Sequence, residues 1–540
     1  MIEPVAHPLG ISLHRRDLLR LAGLGSGAML GGRVLSGSPA RAARGLPSAA
    51  TPRAPDLVRG PSGLGAPPVQ GLRLTFGDDP ATQMVVSWTT HQAVRNPRVS
   101  LGTAAGGMGR TVQAESRHYT DGVSNRQVTV HSARIDGLSA AADYVYSAVH
   151  DGTAGQVGTI RTAPAGRAPF TFTSFGDMGC PTVTTKGSGG LWVNDACGSP
   201  HSFDVVDGVE RVAPLFNLLN GDLCYANLSA DRLRTWSGFM DNISRSARHR
   251  PWMPAAGNHE NEGKNGPLGY TAFQTYFPVP NPGATGEFAG LWYAYTVGNV
   301  RFVHLQNDDV CLQDGGASYI RGYSAGGQRT WLEQELKHSR AQVGIDWIVV
   351  CMHQVAMSTS KYNGADLGIR ENWLPLFDKY GVDLVVSGHE HHYERTHPVR
   401  GAEHNDTLSP KPQADNKKLI DATKGTVHMI IGSGGTANPS HTILSANRSC
   451  HVITGLTHDR ADSGHRVPKY VVEEGPWSAV RDSDHPYGFA AFDVDGSARD
   501  GATTIDVTYY DVVGPGGQLA AFDTFTLTKP AGPAAKPPIV

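Results

Sequence analysis

No two of the six cysteines are spaced as a CxxC pair, so neither a zinc ribbon nor a thioredoxin-type redox motif is on offer. No run of ~18 apolar residues follows the N-terminal segment, which excludes an ordinary spanning helix and leaves no stable membrane anchor to expect. Charge of one sign is lacking as well. With 47 basic against 49 acidic side chains there is no bulk field to favour nucleic acid or an anionic surface, and no nucleic-acid binding is expected. A largely helical protein is disfavoured by 65 glycines and 35 prolines, which suit turns and short strands. What remains is an ordinary soluble composition in a chain of 540 residues, too long for one core and sufficient for two or three domains.

The first residues carry an address. "HRRDLLRLAGLGSGAML" places Arg15 and Arg16 before a mildly apolar run from Leu18 to Leu30, and "SPARAA" supplies Ala40 and Ala42 in a small-x-small cleavage pattern. The segment resembles a twin-arginine export signal. That resemblance implies a signal peptide over 1–42, the twin-arginine translocation machinery as a partner during export, and a secreted or extracytoplasmic protein. Disulfides are permitted there. Cys180 and Cys197 bracket the loop "PTVTTKGSGGLWVNDA" and form the first candidate bridge, while Cys224 and Cys351 fit buried thiols equally well.

Residues 43–68, rich in Pro, Ala, Gly and Arg and without a period, read as a flexible linker. Over 69–164, "LRLTF", "QMVVSWTT", "RQVTVHSARI" and "DYVYSAV" alternate with turn signals such as "GDDP" and "DGTAG", which predicts a β-sandwich. "RIDGLSAAADYVYSAV" resembles the turn and strand of a fibronectin type III module, with Ala141 where proline is usual. From 168 to 530 the pattern changes to α/β. Short apolar runs end in small residues followed by Asp, Asn or His, with helical stretches such as "GQRTWLEQELKHS" and "RENWLPLFDKYG" between them. "LWYAYTVGNVRFVHLQ" predicts a hairpin turning at Gly298–Asn299. The stretch after "TVHMIIGSGG" to about Pro486 reads as loop, 486–530 as closing antiparallel strands, and 531–540 as a tail.

Five strand-end motifs carry the candidate chemistry: "GDMG" with Asp177, "GDLCY" with Asp222 and Tyr225, "GNHE" with Asn258 and His259, "VCMH" with His353, and "GHEH" with His389 and His391. Each alone is a weak signal. Five at the ends of apolar runs, where α/β folds gather their chemistry, point to one metal pocket. Carboxylate, amide and imidazole donors suit iron, zinc or manganese. His389 and His391 lie two apart, so an extended strand would send them to opposite faces. They converge only if the chain is already turning, a freedom assigned here to Gly388. His392 and His397 are left as supporting loop residues.

The order GDxG, GDxxY, GNHE, VxxH, GHxH is similar to that of the calcineurin-like metallophosphoesterases, and Tyr225, three after Asp222, narrows the likeness to the purple acid phosphatases. "GHEHHYER" and "WSAVRDSDHPYGFAAFDV" resemble further segments of that family, as does a fibronectin-like module ahead of the catalytic domain. The resemblance implies a layered α/β/β/α catalytic domain holding two metal ions. Asp177, Tyr225 and His391 would take Fe(III); Asn258, His353 and His389 a divalent ion (Fe, Zn or Mn); Asp222 would bridge them. His259 would be the catalytic residue, and with Asn258 would bind substrate. The implied activity is acid phosphatase, hydrolysing small organic phosphate monoesters by in-line attack of a metal-bound hydroxide. Members of the plant type carry further histidines after the VxxH motif, where this chain has Lys361, Tyr362 and Asn363. That departure keeps a phosphodiesterase or nucleotide pyrophosphohydrolase in view as the alternative, with a non-catalytic surface-binding protein behind it.

Overall fold

The computed structural model describes residues 66–533 apart from 183–196, 282–283, 317 and 461–465. The export signal, nearly all of the linker, most of the loop between Cys180 and Cys197, and the tail from 534 lie outside the described residues.

Two four-stranded antiparallel sheets open the chain. One orders Gln70–Phe76, Met84–Thr90, Gln127–Ile135 and Glu115–Thr120; the other Gly107–Gln113, Arg98–Thr103, Asp143–Val149 and Gln156–Arg161. Three of these strands, Arg98–Thr103, Gly107–Gln113 and Glu115–Thr120, escape the sequence reading. The last two are almost wholly exposed, so no alternation of apolar residues marks them. The sandwich packs firmly on the α/β part of the chain. Phe76 meets Phe216 and Tyr295 at 5.3 and 5.7 Å, and the buried guanidinium of Arg73 donates through Nε to Tyr276 O at 2.9 Å.

Two seven-stranded sheets form the second part. The first contains the parallel strands Phe170–Phe175, Phe216–Leu219 and Trp252–Pro254, extended by the antiparallel Gly488–Asp495, Ala502–Gly514 and Gln518–Pro530. The second runs Val300–His304, Trp347–Cys351, Leu384–Ser387 and Val427–Ile431 in parallel, with antiparallel strands at its edges. Strand alternation explains the layering. In "WIVVC", Trp347, Val349 and Cys351 enter the core shared with the first sheet, while Ile348 and Val350 face a second cluster with Leu332, Leu336, Trp373 and Phe377. Between the sheets Phe302 meets Phe172 and Phe216 edge-on at 5.1 and 5.2 Å. Helices thus cover the outer face of the second sheet while aromatic rings fill the space between the two.

Several expectations are corrected. All six cysteines are buried thiols, so Cys180 and Cys197 form no bridge; Cys180 Sγ instead donates to Thr235 O at 3.1 Å. The predicted helix over "RENWLPLFDKYG" is two, Leu367–Asn372 and Leu374–Tyr380, because Pro375 cannot continue the first. The supposed loop before Pro486 contains the hairpin Ser449–Arg460 with Arg466–Glu474 and the edge strand Ser478–Arg481. Its β-branched residues are masked by interspersed glycine, histidine and serine. The hairpin at Gly298–Asn299 is present, joining Tyr293–Val297 to Val300–His304. Among the described residues no helix is long and apolar enough to cross a membrane.

Candidate metal centre

The parallel strands of both sheets deliver their C-terminal ends to one edge, and the polar residues just beyond them meet there. Asn220 stitches the sheets together beneath the site. Its Oδ1 accepts from Ser174 Oγ at 2.9 Å, its Nδ2 donates to Ser387 O at 3.2 Å, and its carbonyl accepts from His353 Nδ1 at 2.7 Å. That last bond fixes a tautomer. With its proton on Nδ1, His353 presents the Nε2 lone pair inward.

Around that lone pair stand Asn258 Oδ1 at 3.0 Å, Asp222 Oδ2 at 3.1 Å and His389 Nδ1 at 3.3 Å. Asn258 Oδ1 and His389 Nδ1 are 3.1 Å apart. Gln313 Nε2 lies 3.1 Å from His389 Nε2 and donates to it. A second group lies beside the first. Tyr225 Oη is 3.2 Å from Asp177 Oδ1 and 3.1 Å from His391 Nε2, which is itself 3.2 Å from Asp177 Oδ1. His391 Nδ1 donates to Asn438 O at 2.5 Å, so its Nε2 also offers a lone pair. Asp177 links the groups, for its Oδ2 accepts the backbone N–H of His389 at 2.9 Å.

All seven predicted ligands are therefore brought together, and all are buried. The donor atoms within each group sit at the separations expected of ligands around an ion at about 2.1 Å, roughly 3.0–3.4 Å. Oxygen and imidazole donors fit first-row ions of the iron and zinc type. The electrostatics favour positive charge. Burial alone would depress His353, yet the Asp222 and Asp177 carboxylates push it up to about 10. Asp222, which burial would raise, is held well below the usual carboxylate range by His353 and His259. Burial, with Asp177 and Asp222, keeps Tyr225 a neutral phenol, and only a strong cation would reverse that.

The backbone is strained where the ligands stand. Asp177, Asp222, Tyr225 and His389 all adopt positive φ (57°, 49°, 58° and 69°), a region that costs about 1–3 kcal/mol for residues with a Cβ. The turn within "GHEH" is thus made by His389 itself, and the role assigned to Gly388 is corrected. Gly388 is required for room: a Cβ there would lie 2.3 Å from Asp177 Oδ2. Gly257 is equally confined, its Cβ position being 2.4 Å from Asp222 Oδ1.

His259 sits at the edge of the centre, its Nε2 3.9 Å from Asp222 Oδ2 and its Nδ1 2.9 Å from Asn227 Oδ1. Its backbone N–H donates to Asp222 Oδ1 at 2.7 Å. Sequence reasoning missed Asn220, Asn227, Asn307 and Gln313, each a single amide in a polar stretch with no motif to mark it. Asn307 Oδ1 accepts the backbone N–H groups of His353 and Gln354 at 2.7 and 3.1 Å, holding that strand end in place. The departing loop is tied down as well. Asn363 and Gly364 donate their N–H groups to Glu390 Oε1 at 3.0 and 2.6 Å, and Asn363 Nδ2 donates to His389 O at 2.8 Å. This brings the Tyr362 ring to 5.2 Å from that of His391. His392 turns away, to Ser440 and Glu394.

Comparison with known proteins finds matches for both parts of the chain. Residues 69–162 match the model of the purple acid phosphatase N-terminal domain, and residues 172–393 that of the calcineurin-like phosphoesterases. An uncharacterized protein of Mycobacterium tuberculosis is 56% identical over 483 residues, 89% of this chain and 91% of that one. Purple acid phosphatase 18 of Arabidopsis thaliana is 27% identical over 357 residues, 65% of this chain and 68% of its own length. The purple acid phosphatase from yellow lupin (Lupinus luteus) seeds shares the fold, with a TM-score of 0.60 at 19% identity over 85% of this chain and 74% of the lupin protein.

Proposed function

The chain belongs to the purple acid phosphatase family of calcineurin-like phosphoesterases, and from that membership we propose an exported acid phosphatase that releases inorganic phosphate from small organic monoesters. A dinuclear metal centre comes with the family. Asp177, Tyr225 and His391 would hold one ion, Fe(III), and Asn258, His353 and His389 a divalent partner, with Asp222 between them. The observation that carries this reading is the pair of donor groups, each spaced for one ion and each containing an imidazole whose second nitrogen is already engaged.

Two ions held by these residues would supply acidification of a water and neutralisation of phosphoryl charge. The protein's own residues do the rest. Glu260 and Asn220 hold the loops that carry Asp222 and His353. Asn227 Oδ1 accepts a hydrogen bond from His259 Nδ1–H, so Nε2 is the nitrogen that faces the centre. Only as the imidazolium, with Nδ1–H kept on Asn227, can His259 donate from Nε2 to a phosphoryl oxygen or pass that second proton to the leaving alkoxide. Export by the twin-arginine route rests on Arg15, Arg16 and the apolar run after them.

Metal analysis with a visible spectrum on the mature protein tests the centre, together with turnover of p-nitrophenyl phosphate. At least two ions per chain, a broad band from phenolate-bound iron and turnover abolished in Asp222→Asn are expected. A colourless protein, or a variant that turns over normally, would reject the ligand assignment. Faster turnover of bis-p-nitrophenyl phosphate than of the monoester would favour the diesterase alternative.

A further inference from the structure

A second group of charges lies where the chain crosses between the two large sheets. Strand Ser478–Arg481 is at the edge of one sheet and Gly488–Asp495 is inside the other, so residues 482–487 join them. Asp482 Oδ1 accepts the N–H groups of Asp484 and His485 at 2.8 and 3.1 Å, but no donor reaches its Oδ2. Asp511, opposite Gly488 in the neighbouring strand, likewise has an Oδ1 with no hydrogen-bond partner. The two side chains are 0% and 3% exposed. His485 Nδ1 stands 3.6 Å from Asp482 Oδ2 and 3.2 Å from Asp511 Oδ2, and the ligand atoms of the three residues lie within 4.8 Å of one another.

Two buried carboxylates brought together with one imidazole are costly unless something positive stands between them. Among the described residues neither is in an ion pair with a lysine or arginine; each is in one with His485, whose side chain is 46% exposed, and His441 also lies within electrostatic range of Asp482. We propose that Asp482, His485 and Asp511 form a structural site for a first-row divalent cation, zinc or manganese, which fastens the crossover between the sheets. The donor set is two carboxylate oxygens and one imidazole nitrogen, a mixture that suits those ions better than calcium, which takes oxygen alone. Donors on a tetrahedral ion at about 2.1 Å lie about 3.4 Å apart, close to the 3.2 and 3.6 Å seen here. The half-exposed side chain of His485 leaves that side of the site open to water ligands. Its occupant would steady more than the crossover, because the Asp482 N–H donates to Tyr393 O at 3.0 Å, in the strand just after "GHEHH". Without a cation, a proton must do the same work: burial and Asp482 push Asp511 up to about 8.

The site shares no residue with the phosphatase centre, so the two are separable. The full-length mature protein, Asp511→Asn and His485→Ala are each dialysed against zinc chloride or manganese chloride, and their metal is counted by mass spectrometry. Each variant is expected to hold one ion fewer per chain than the wild type, with p-nitrophenyl phosphate turnover within about twofold. Added zinc or manganese is expected to raise the thermal midpoint of the wild type and not of the variants. His485→Ala removes a half-exposed side chain, so it reads the site even if Asp511→Asn folds poorly. Equal metal content in the wild type and His485→Ala overturns the proposal and leaves a shared proton between the carboxylates. Because the readout is a difference between proteins, it stands whether or not the phosphatase centre loads.

Discussion

Glu260 reaches back 38 residues to accept the Asp222 backbone N–H at 2.9 Å, with the same oxygen that accepts from Gly257 at 2.8 Å. Its other oxygen accepts from Leu223 at 2.8 Å. One buried carboxylate thus fixes the two loops that carry Asp222 and Asn258. Burial and the charge of Asp222 push Glu260 up to about 8, against the pull of the Leu223 and Gly257 N–H groups. In Glu260→Gln an NH2 would face a backbone N–H, and each donor left without an acceptor costs about 1–3 kcal/mol. A lower melting temperature and weaker metal retention are expected from calorimetry and metal analysis. Melting at the wild-type temperature would show that the loops hold without this carboxylate.

Gly257→Ala separates shape from stability. The backbone there is extended, with φ −88°, so alanine is conformationally acceptable. Its Cβ would nevertheless fall 2.4 Å from Asp222 Oδ1 and 3.0 Å from His353 Cγ. Turnover should fall by about 100-fold or more, as expected for a misplaced reacting geometry. Kinetics and circular dichroism together check this; near-normal turnover would mean that Asp222 has freedom to move.

Tyr225→Phe should remove colour. The phenol is fully buried between Asp177 and His391, so loss of the oxygen leaves the packing nearly intact. The visible band is expected to vanish while the melting temperature changes by only a few degrees. A surviving band would assign the colour to a different ligand.

The fold itself should weaken in acid, and His304 shows why. Burial pushes its imidazole down to about 3, and its ring lies flat on Tyr293 at 4.2 Å. The unfolded chain takes up that proton near pH 6.5, so the contribution is fully present above 6.5 and is lost as pH falls toward 3. The slope is about 1.4 kcal/mol per pH unit. His304→Phe keeps the stacking and removes the titration. Urea midpoints at pH 7 and pH 4.5 should therefore differ less in the variant than in the wild type. Equal differences would mean that His304 is protonated in the folded protein.

Much of the site was legible because each ligand comes just after an apolar run, and such runs become parallel strands with a common C-terminal edge. The outer strands of the sandwich were not legible, since exposed edges carry no alternation. Nor was Asn220, whose importance lies in contacts with Ser174, Ser387 and His353, residues scattered along the chain. The expected Cys180–Cys197 bridge failed for a related reason. Spacing says which thiols are near in sequence, and packing decided that Cys180 turns toward Thr235.

By itself the amino-acid sequence determined the kinds of donor present, the strands that end in them and the family resemblance those motifs carry. Tertiary structure alone decided how far apart the donors stand, with His389 Nδ1 3.3 Å from His353 Nε2 and His391 Nε2 3.1 Å from Tyr225 Oη. It also decided that Asp482, His485 and Asp511 would meet at all. The reason is that donor chemistry belongs to single residues, whereas distance between donors depends on which strands become neighbours and on where a backbone accepts positive φ.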